Sequence, residues 1–203
     1  MRIYSFNQLS RSRKKCERSQ VMKTFFLIVL WVSYCSGFQF EDCGGAQKTL
    51  FIEDLDLTPS PFTVPGNLKM SARVRVSKPV PAKTVVDIKM IRILNIVGQK
   101  FNLTIPCIKN LGSCKLAACD MLKEHMNRVC SLWPEGKPCE CPIAAGVYEG
   151  KGLNFPLPDF GPLLSQLAAG DYHLEMRARD LQTDVEIGCM RISMSIKSIS
   201  RKY

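Results

Sequence analysis

Between Leu68 and Ser77 the chain alternates strictly. Leu68, Met70, Ala72, Val74 and Val76 fall on one side, and Lys69, Ser71, Arg73 and Arg75 on the other. A period of two is the pattern of a β-strand with one buried face. It recurs at 85–94, where Val86, Ile88 and Met90 oppose Asp87 and Lys89. It recurs at 172–180, where Tyr172, Leu174, Met176 and Ala178 oppose His173, Glu175, Arg177 and Arg179. A last run, 185–199, sets Met190, Ile192, Met194 and Ile196 on one face. Cys189 there takes the opposite phase, which predicts a bulge or twist near Gly188. Residues 50–57 read as a strand of mixed phase and 147–158 as a short irregular one. A turn near Asn95–Gly98 joins 85–94 to 100–106 as a hairpin.

Other segments break the alternation. Pro59, Pro61, Pro65 and Gly66 interrupt the chain after the first strand and hold Phe62 and Val64 outside regular sheet. Leu116, Cys119, Leu122 and Met126 recur near helical spacing and predict one short helix within 114–130. Residues 131–146, rich in Pro, Gly and Cys, read as a stapled loop, and 162–170 as a helical turn closed by Gly170. Six to eight widely spaced strands with one mid-chain excursion predict an all-β fold, an antiparallel sandwich or cup. A packed sandwich and a hollow cup share this periodicity.

Charge changes the picture once its location is considered. The chain has 28 Lys and Arg against 18 Asp and Glu, a formal net charge of +10. Seven of the basic residues lie in 1–37, beside the single acid Glu17. That segment also holds the apolar run 24–34 behind Lys23, followed by Cys35-Ser36-Gly37. This is the layout of a signal peptide cleaved after Gly37, with Met22 as a natural initiator and 1–21 as an extension. Residues 1–37 are therefore expected to be an N-terminal extension and cleaved signal peptide, and 38–203 one domain. The domain keeps 21 basic and 17 acidic residues. Its cations form no aromatic-interleaved stripe, so nucleic acid is not expected as a partner. The modest surplus suits peripheral contact with anionic membranes.

Eight cysteines remain after Gly37: Cys43, Cys107, Cys114, Cys119, Cys130, Cys139, Cys141 and Cys189. An even count behind a signal peptide reads as four disulfides. Cys139 and Cys141 flank one residue, and their side chains point oppositely in extended backbone, so they should take separate partners. Cys43 and Cys189, far out at either end, make an attractive bridge between the first and last strands; the other pairings stay open. Cys139 and Cys141 with Cys130 and His125 lack a zinc-site spacing, so no metal is expected. Asn102-Leu103-Thr104 is a glycosylation acceptor. Asn102 should then face water, with Phe101, Leu103 and Ile105 inward.

Catalytic patterns are missing. There is no G-x-S-x-G, no H-E-x-x-H and no P-loop. His125 and His173 have no nucleophile beside them in sequence, and Asp54 with Asp56, or Asp180 with Asp184, read as solvated pairs. No catalytic residue and no cofactor is expected. The apolar residues say more. Phe62, Val64, Trp133, Phe155, Leu157, Phe160, Leu163 and Leu164 crowd Pro-rich or Cys-rich segments, and Met70, Val74, Met90, Met176 and Met194 line strand faces. All are candidates for a lipid cavity or its rim. Ordinary core packing is the plainer account of each.

Short motifs run in order along the whole domain: F-Q-F-E-D-C (38–43), L-x-P-x-P-F-T-V-P-G-N (57–67), I-P-C (105–107), G-S-C (112–114), G-x-P-C-x-C-P (136–142), G-x-Y (146–148), P-D-F (158–160), A-G-D-Y (169–172) and I-G-C-M-R-I (187–192). Together with the eight cysteines they resemble the GM2-activator and MD-2-related lipid-recognition family. The resemblance implies a β-cup around a lipid cavity. It implies the pairs Cys43–Cys189, Cys107–Cys114, Cys119–Cys141 and Cys130–Cys139. It implies a lysosomal, partly secreted, non-enzymatic activator that lifts GM2 ganglioside from membranes and presents it to β-hexosaminidase A. The segment after Asn67 continues Leu-Lys, where the family's form carries a sugar acceptor, and no Trp stands near Leu164. Both differences touch loops where headgroup and enzyme contacts are expected. They motivate the alternative of a broader carrier of sphingolipids or phospholipids without hexosaminidase activation. A packed extracellular module with no ligand is a third expectation.

Overall fold

The computed structural model describes residues 37–157, 159 and 161–198, apart from the side chains of 162–164 and 167. The expected leader up to residue 36, with Met22, Cys16 and Cys35, lies outside the described residues. In chain order come β1 (Gln39–Asp42), β2 (Leu50–Thr58), β3 (Phe62–Val64), β4 (Gly66–Val76), β5 (Thr84–Ile96), β6 (Gln99–Thr104) and β7 (Lys115–Ala117). Helix α1 (Ala118–Val129), a single 3-10 turn (Cys130–Leu132), β8 (Gly146–Leu157), α2 (Gly161–Ala168), β9 (Gly170–Asp180) and β10 (Glu186–Ser198) follow. The larger sheet runs β1-β10-β9-β5-β6, with β3 added to β10 and β7 to β5; the smaller runs β2-β4-β8. Pairing is antiparallel throughout except between β3 and β10.

The irregular phases have local causes. In β2 the register slips between Ile52 and Asp54, so Leu55 and Leu57 turn inward although Ile52 already does. In β10 it slips between Glu186 and Gly188. That slip precedes Cys189, which keeps the outward phase opposite Arg177. The β5–β6 hairpin closes on a two-residue turn, Val97 and Gly98, both at positive φ. This suits the right-handed twist of the flanking strands.

Three expectations are corrected. Phe62 and Val64 do form a strand: it lies beside the last residues of β10, where flanking prolines do no harm because the strand is short and peripheral. Leu116 belongs to β7, not to the helix; Val85 and Val86 pair with β7 and draw it into the sheet. Among the described residues the strand count is ten rather than six to eight, the additions being pieces of three or four residues. Such pieces show no periodicity to read.

Leu55, Leu57 and Ala72 of the smaller sheet pack with Ile192 of the larger and with Phe62 to make the main core. Val76, Val80, Tyr148 and Ile187 form a second cluster. The outward face of the larger sheet carries a ladder of charges. Glu175 accepts from Arg191 Nε and Arg177 Nε, both at 2.7 Å, and Arg177 Nη1 reaches Glu186 at 2.9 Å. Among the described residues there are four disulfides: Cys43–Cys189, Cys107–Cys114, Cys119–Cys141 and Cys130–Cys139. The first ties the residue after β1 to β10, and the last two tie α1 and the turn behind it to the loop before β8.

Candidate lipid-binding face

Cross-strand partners share a face, so the registers place the inward residues row by row. On the larger sheet Phe40, Ile192, Leu174 and Met90 form one row and Asp42, Met190, Met176 and Ile88 another, Asp42 being paired with Lys48. The next row is Met194, Tyr172, Arg92 and Leu103; Leu94 pairs with Phe101 beyond it. On the smaller sheet the inward rows are Ile52, Val74 and Tyr148, then Leu57, Met70 and Leu153, then Leu68 and Phe155. Most of these side chains are half-buried rather than sealed. Fifteen hydrophobic residues are fully buried among the described ones, whereas twelve partly buried ones surround the main cluster alone. Inward-facing apolar side chains that keep exposed area lack full cover from the opposite layer.

The two sheets differ in width, and this decides where the cover ends. β2 packs on β1 and β10. β6 is exposed along its whole length. Phe101 and Leu103 hold the inward phase yet are each 47% exposed, and Ile96 is 54% exposed. The expected burial of Phe101 and Leu103 is thus corrected: alternation chose the right face, but β6 does not pack closely on any strand of the smaller sheet. Ile105 is half-buried, and Asn102, on the other phase, is exposed as the glycosylation motif requires.

Helix α2 meets the inner face through its last turn. Tyr172 Oη donates to Ala168 O at 2.8 Å, and Arg92 Nη2 donates to Ala169 O at 2.6 Å. Burial pushes the Tyr172 phenol up in pKa, against the pull of the nearby Arg92 cation. Gly170, at φ +151°, has Arg92 Nε 3.0 Å from where a Cβ would stand, so the close approach needs glycine.

Of the sequence candidates, Met70, Val74, Met90, Phe155, Leu157, Met176 and Met194 face inward and are half-buried. Phe62 and Val64 are buried at 5% and 4% exposure, and Phe62 sits 6.3 Å from Phe38 within the main core. Trp133 packs with Tyr148 in the second cluster. Phe160 and the side chains of Leu163 and Leu164 lie outside the described residues. Sequence reasoning passed over Arg92, Leu94 and Ile96. The signal was present, since all three continue the phase of Ile88 and Met90; a cation at an apolar position did not look like a wall residue.

The titratable residues read for chemistry serve structure. His173 faces outward, its Nδ1 2.9 Å from Ser193 Oγ, and His125 is exposed. Asp180 shapes the β9–β10 turn, accepting from Gln182 N and Thr183 Oγ1. Among the described residues no cluster of His, Cys, Asp and Glu could hold a metal ion, and no helix is long and apolar enough to cross a membrane. Two solvent-open hollows, of about 520 and 270 Å³, lie near Lys48, Pro79 and Thr183 and near Lys115 and Glu124; neither takes in the inward rows.

The inward apolar rows of this disulfide-stapled β-sandwich are only partly covered, as suits a lipid-recognition module. Residues 37–196 match the ML domain, the E1 and DerP2/DerF2 group, and the chain belongs to this MD-2-related lipid-recognition family, a non-catalytic class of lipid-binding proteins. It is 30% identical to the ganglioside GM2 activator of Mus musculus over 171 residues, covering 82% of this chain and 85% of that protein. It is 27% identical to the ganglioside GM2 activator of Macaca fascicularis over 172 residues, covering 80% and 84%. The crystal structure of a Niemann-Pick type C2 protein from the Japanese carpenter ant aligns at TM-score 0.41 and 17% identity, over 78% of this chain and 98% of that one.

Proposed function

We propose that this protein is a non-enzymatic lipid carrier of the secretory and lysosomal pathway, residues 38–203 forming the carrier after removal of the leader. One observation carries the reading: inward apolar rows stay half-buried, and the row end at Leu94, Phe101 and Leu103 opens to solvent. Each methylene exposed to water costs about 0.8 kcal/mol, so lifting a long-chain lipid from a bilayer demands a surface that takes its chains. The uncovered inner face supplies such a surface, and the methionines along it adapt to chains of varied shape. The ligand class is sphingolipids and phospholipids, taken from anionic membranes toward which the surplus cations draw the protein.

A narrower reading is favoured by the two ganglioside GM2 activators that resemble the chain. In it the lipid is GM2 ganglioside, and the carrier presents the exposed sugar to β-hexosaminidase A. The test is transfer of labelled phosphatidylcholine and labelled GM2 from anionic liposomes by the protein secreted from an oxidising host, at acidic and neutral pH. β-Hexosaminidase A turnover is followed in parallel. Transfer of both lipids without faster turnover establishes the broad carrier; faster GM2 turnover establishes the narrower one. No transfer of any lipid rejects both in favour of a packed module.

A further inference from the structure

Arg92 is the one cation in the inward rows traced on the larger sheet, where the other charged residue, Asp42, is already paired with Lys48, and it stands where the sealed part of the sandwich gives way to the open part. Its neighbours on that face are Tyr172 on β9, Leu103 on β6, and Met90 and Leu94 two residues away on its own strand. None can neutralise it. Twelve ion pairs form among the described residues, and Arg92 is in none of them. Nη2 caps the chain leaving α2 through Ala169 O. Capping leaves Nη1 without a partner among the described residues, and Nε, packed against Gly170, is buried there with none either. A second buried polar atom without a partner, Ser165 Oγ, lies one turn earlier on α2. A guanidinium held half out of water among apolar side chains is unfavourable unless an anion meets it.

The geometry points to Arg92 as the anchor for the acidic group of a bound amphiphile, a carboxylate or phosphate oxyanion on an alkyl chain. This inference rests on the lipid-carrier reading and adds a charge preference to it. The guanidinium fork matches the two oxygens of a carboxylate or phosphate. From Arg92 the chain would run past the apolar side chains of Met90, Leu174 and Met176 toward the main core. Arg92 thus sets which end of the lipid lies at the open edge.

The test compares binding of oleate, oleoyl lysophosphatidate and oleyl alcohol to the secreted protein, with acetate and inorganic phosphate as chain-free controls. Displacement of a fluorescent fatty-chain probe is the readout. The expected result is preference for at least one acid over the alcohol by about tenfold, the size of a charge-assisted hydrogen bond. The better-bound acid identifies the oxyanion. Arg92→Met should abolish the preference, the acids losing about tenfold more affinity than the alcohol. Equal binding of acids and alcohol to the native protein overturns the inference, as does Arg92→Met weakening all three ligands alike. Displacement by acetate or phosphate at similar concentration also overturns it, since the site would then take free anions. If the alcohol and both acids fail to bind, the carrier reading itself fails. Should Arg92→Met not fold, phenylglyoxal labelling of the native protein decides: oleate must protect Arg92 more than oleyl alcohol does at equal occupancy, and equal protection overturns the inference.

Discussion

The indole of Trp133 meets the ring of Tyr148 edge-on, with centroids 4.8 Å apart and planes at 72°. Tyr148 Oη in turn donates to Ala144 O at 2.6 Å. Together they fasten both ends of the stapled loop to β8, in the second core cluster and away from the open β6 edge. Trp133→Ala should therefore act on stability, at roughly 2–3 kcal/mol, below the cost of a fully buried aromatic because Trp133 is half-buried. Denaturant unfolding reads the loss, and lipid transfer per folded molecule should be unchanged. Transfer lost at unchanged stability would return Trp133 to the rim of the lipid site.

Disulfides of different span should differ in worth. Cys43–Cys189 closes 146 residues and Cys107–Cys114 only 7. Loop-closure entropy alone gives about 5 kcal/mol for the first and about 2.4 kcal/mol for the second. Double alanine replacement at each pair, compared by urea midpoint, should show the Cys43–Cys189 variant losing roughly twice as much stability as the Cys107–Cys114 one. Equal losses would mean that local packing, not chain constraint, sets the value.

Exposed and buried inner-face residues should separate in their effects. Leu57, at 8% exposure, is core, and Leu57→Ala should cost about 2–4 kcal/mol. Phe101 and Leu103 are each 47% exposed, and Phe101→Ser with Leu103→Ser should change stability by no more than about 0.5 kcal/mol. The same double change should lower lipid pick-up severalfold, because it removes apolar wall at the open edge. Unchanged pick-up would move the entry elsewhere.

Acid should weaken the outward ladder. The hydrogen bonds from Arg191 and then Arg177 hold the Glu175 carboxyl below its ordinary 4.5, and those from Arg75 and Arg73 do the same for Glu53. A carboxylate whose folded pKa is depressed adds stability above the unfolded value and loses it as pH falls through the folded one. Glu175→Gln should thus destabilise at neutral pH by no more than about 1 kcal/mol, the range of partly exposed pairs. Thermal unfolding curves of the two proteins should converge below pH 4.5. A gap that persists in acid would assign the effect of Glu175 to packing.

The alternation through Leu68–Val76, Val86–Met90, Tyr172–Ala178 and Met190–Ile196 determined, from sequence, which side chains face inward. A period of two is set by backbone geometry, and a single slip would have exposed every apolar residue of a strand. The cysteine count and spacing likewise showed a stapled domain. What alternation cannot carry is whether a second layer lies over a chosen face, because that depends on how many strands distant segments add to the other sheet. Only the tertiary structure left Phe101 and Leu103 uncovered, folded Trp133 against Tyr148, made a strand of Phe62–Val64 beside β10, and set Arg92 among apolar neighbours beneath the end of α2.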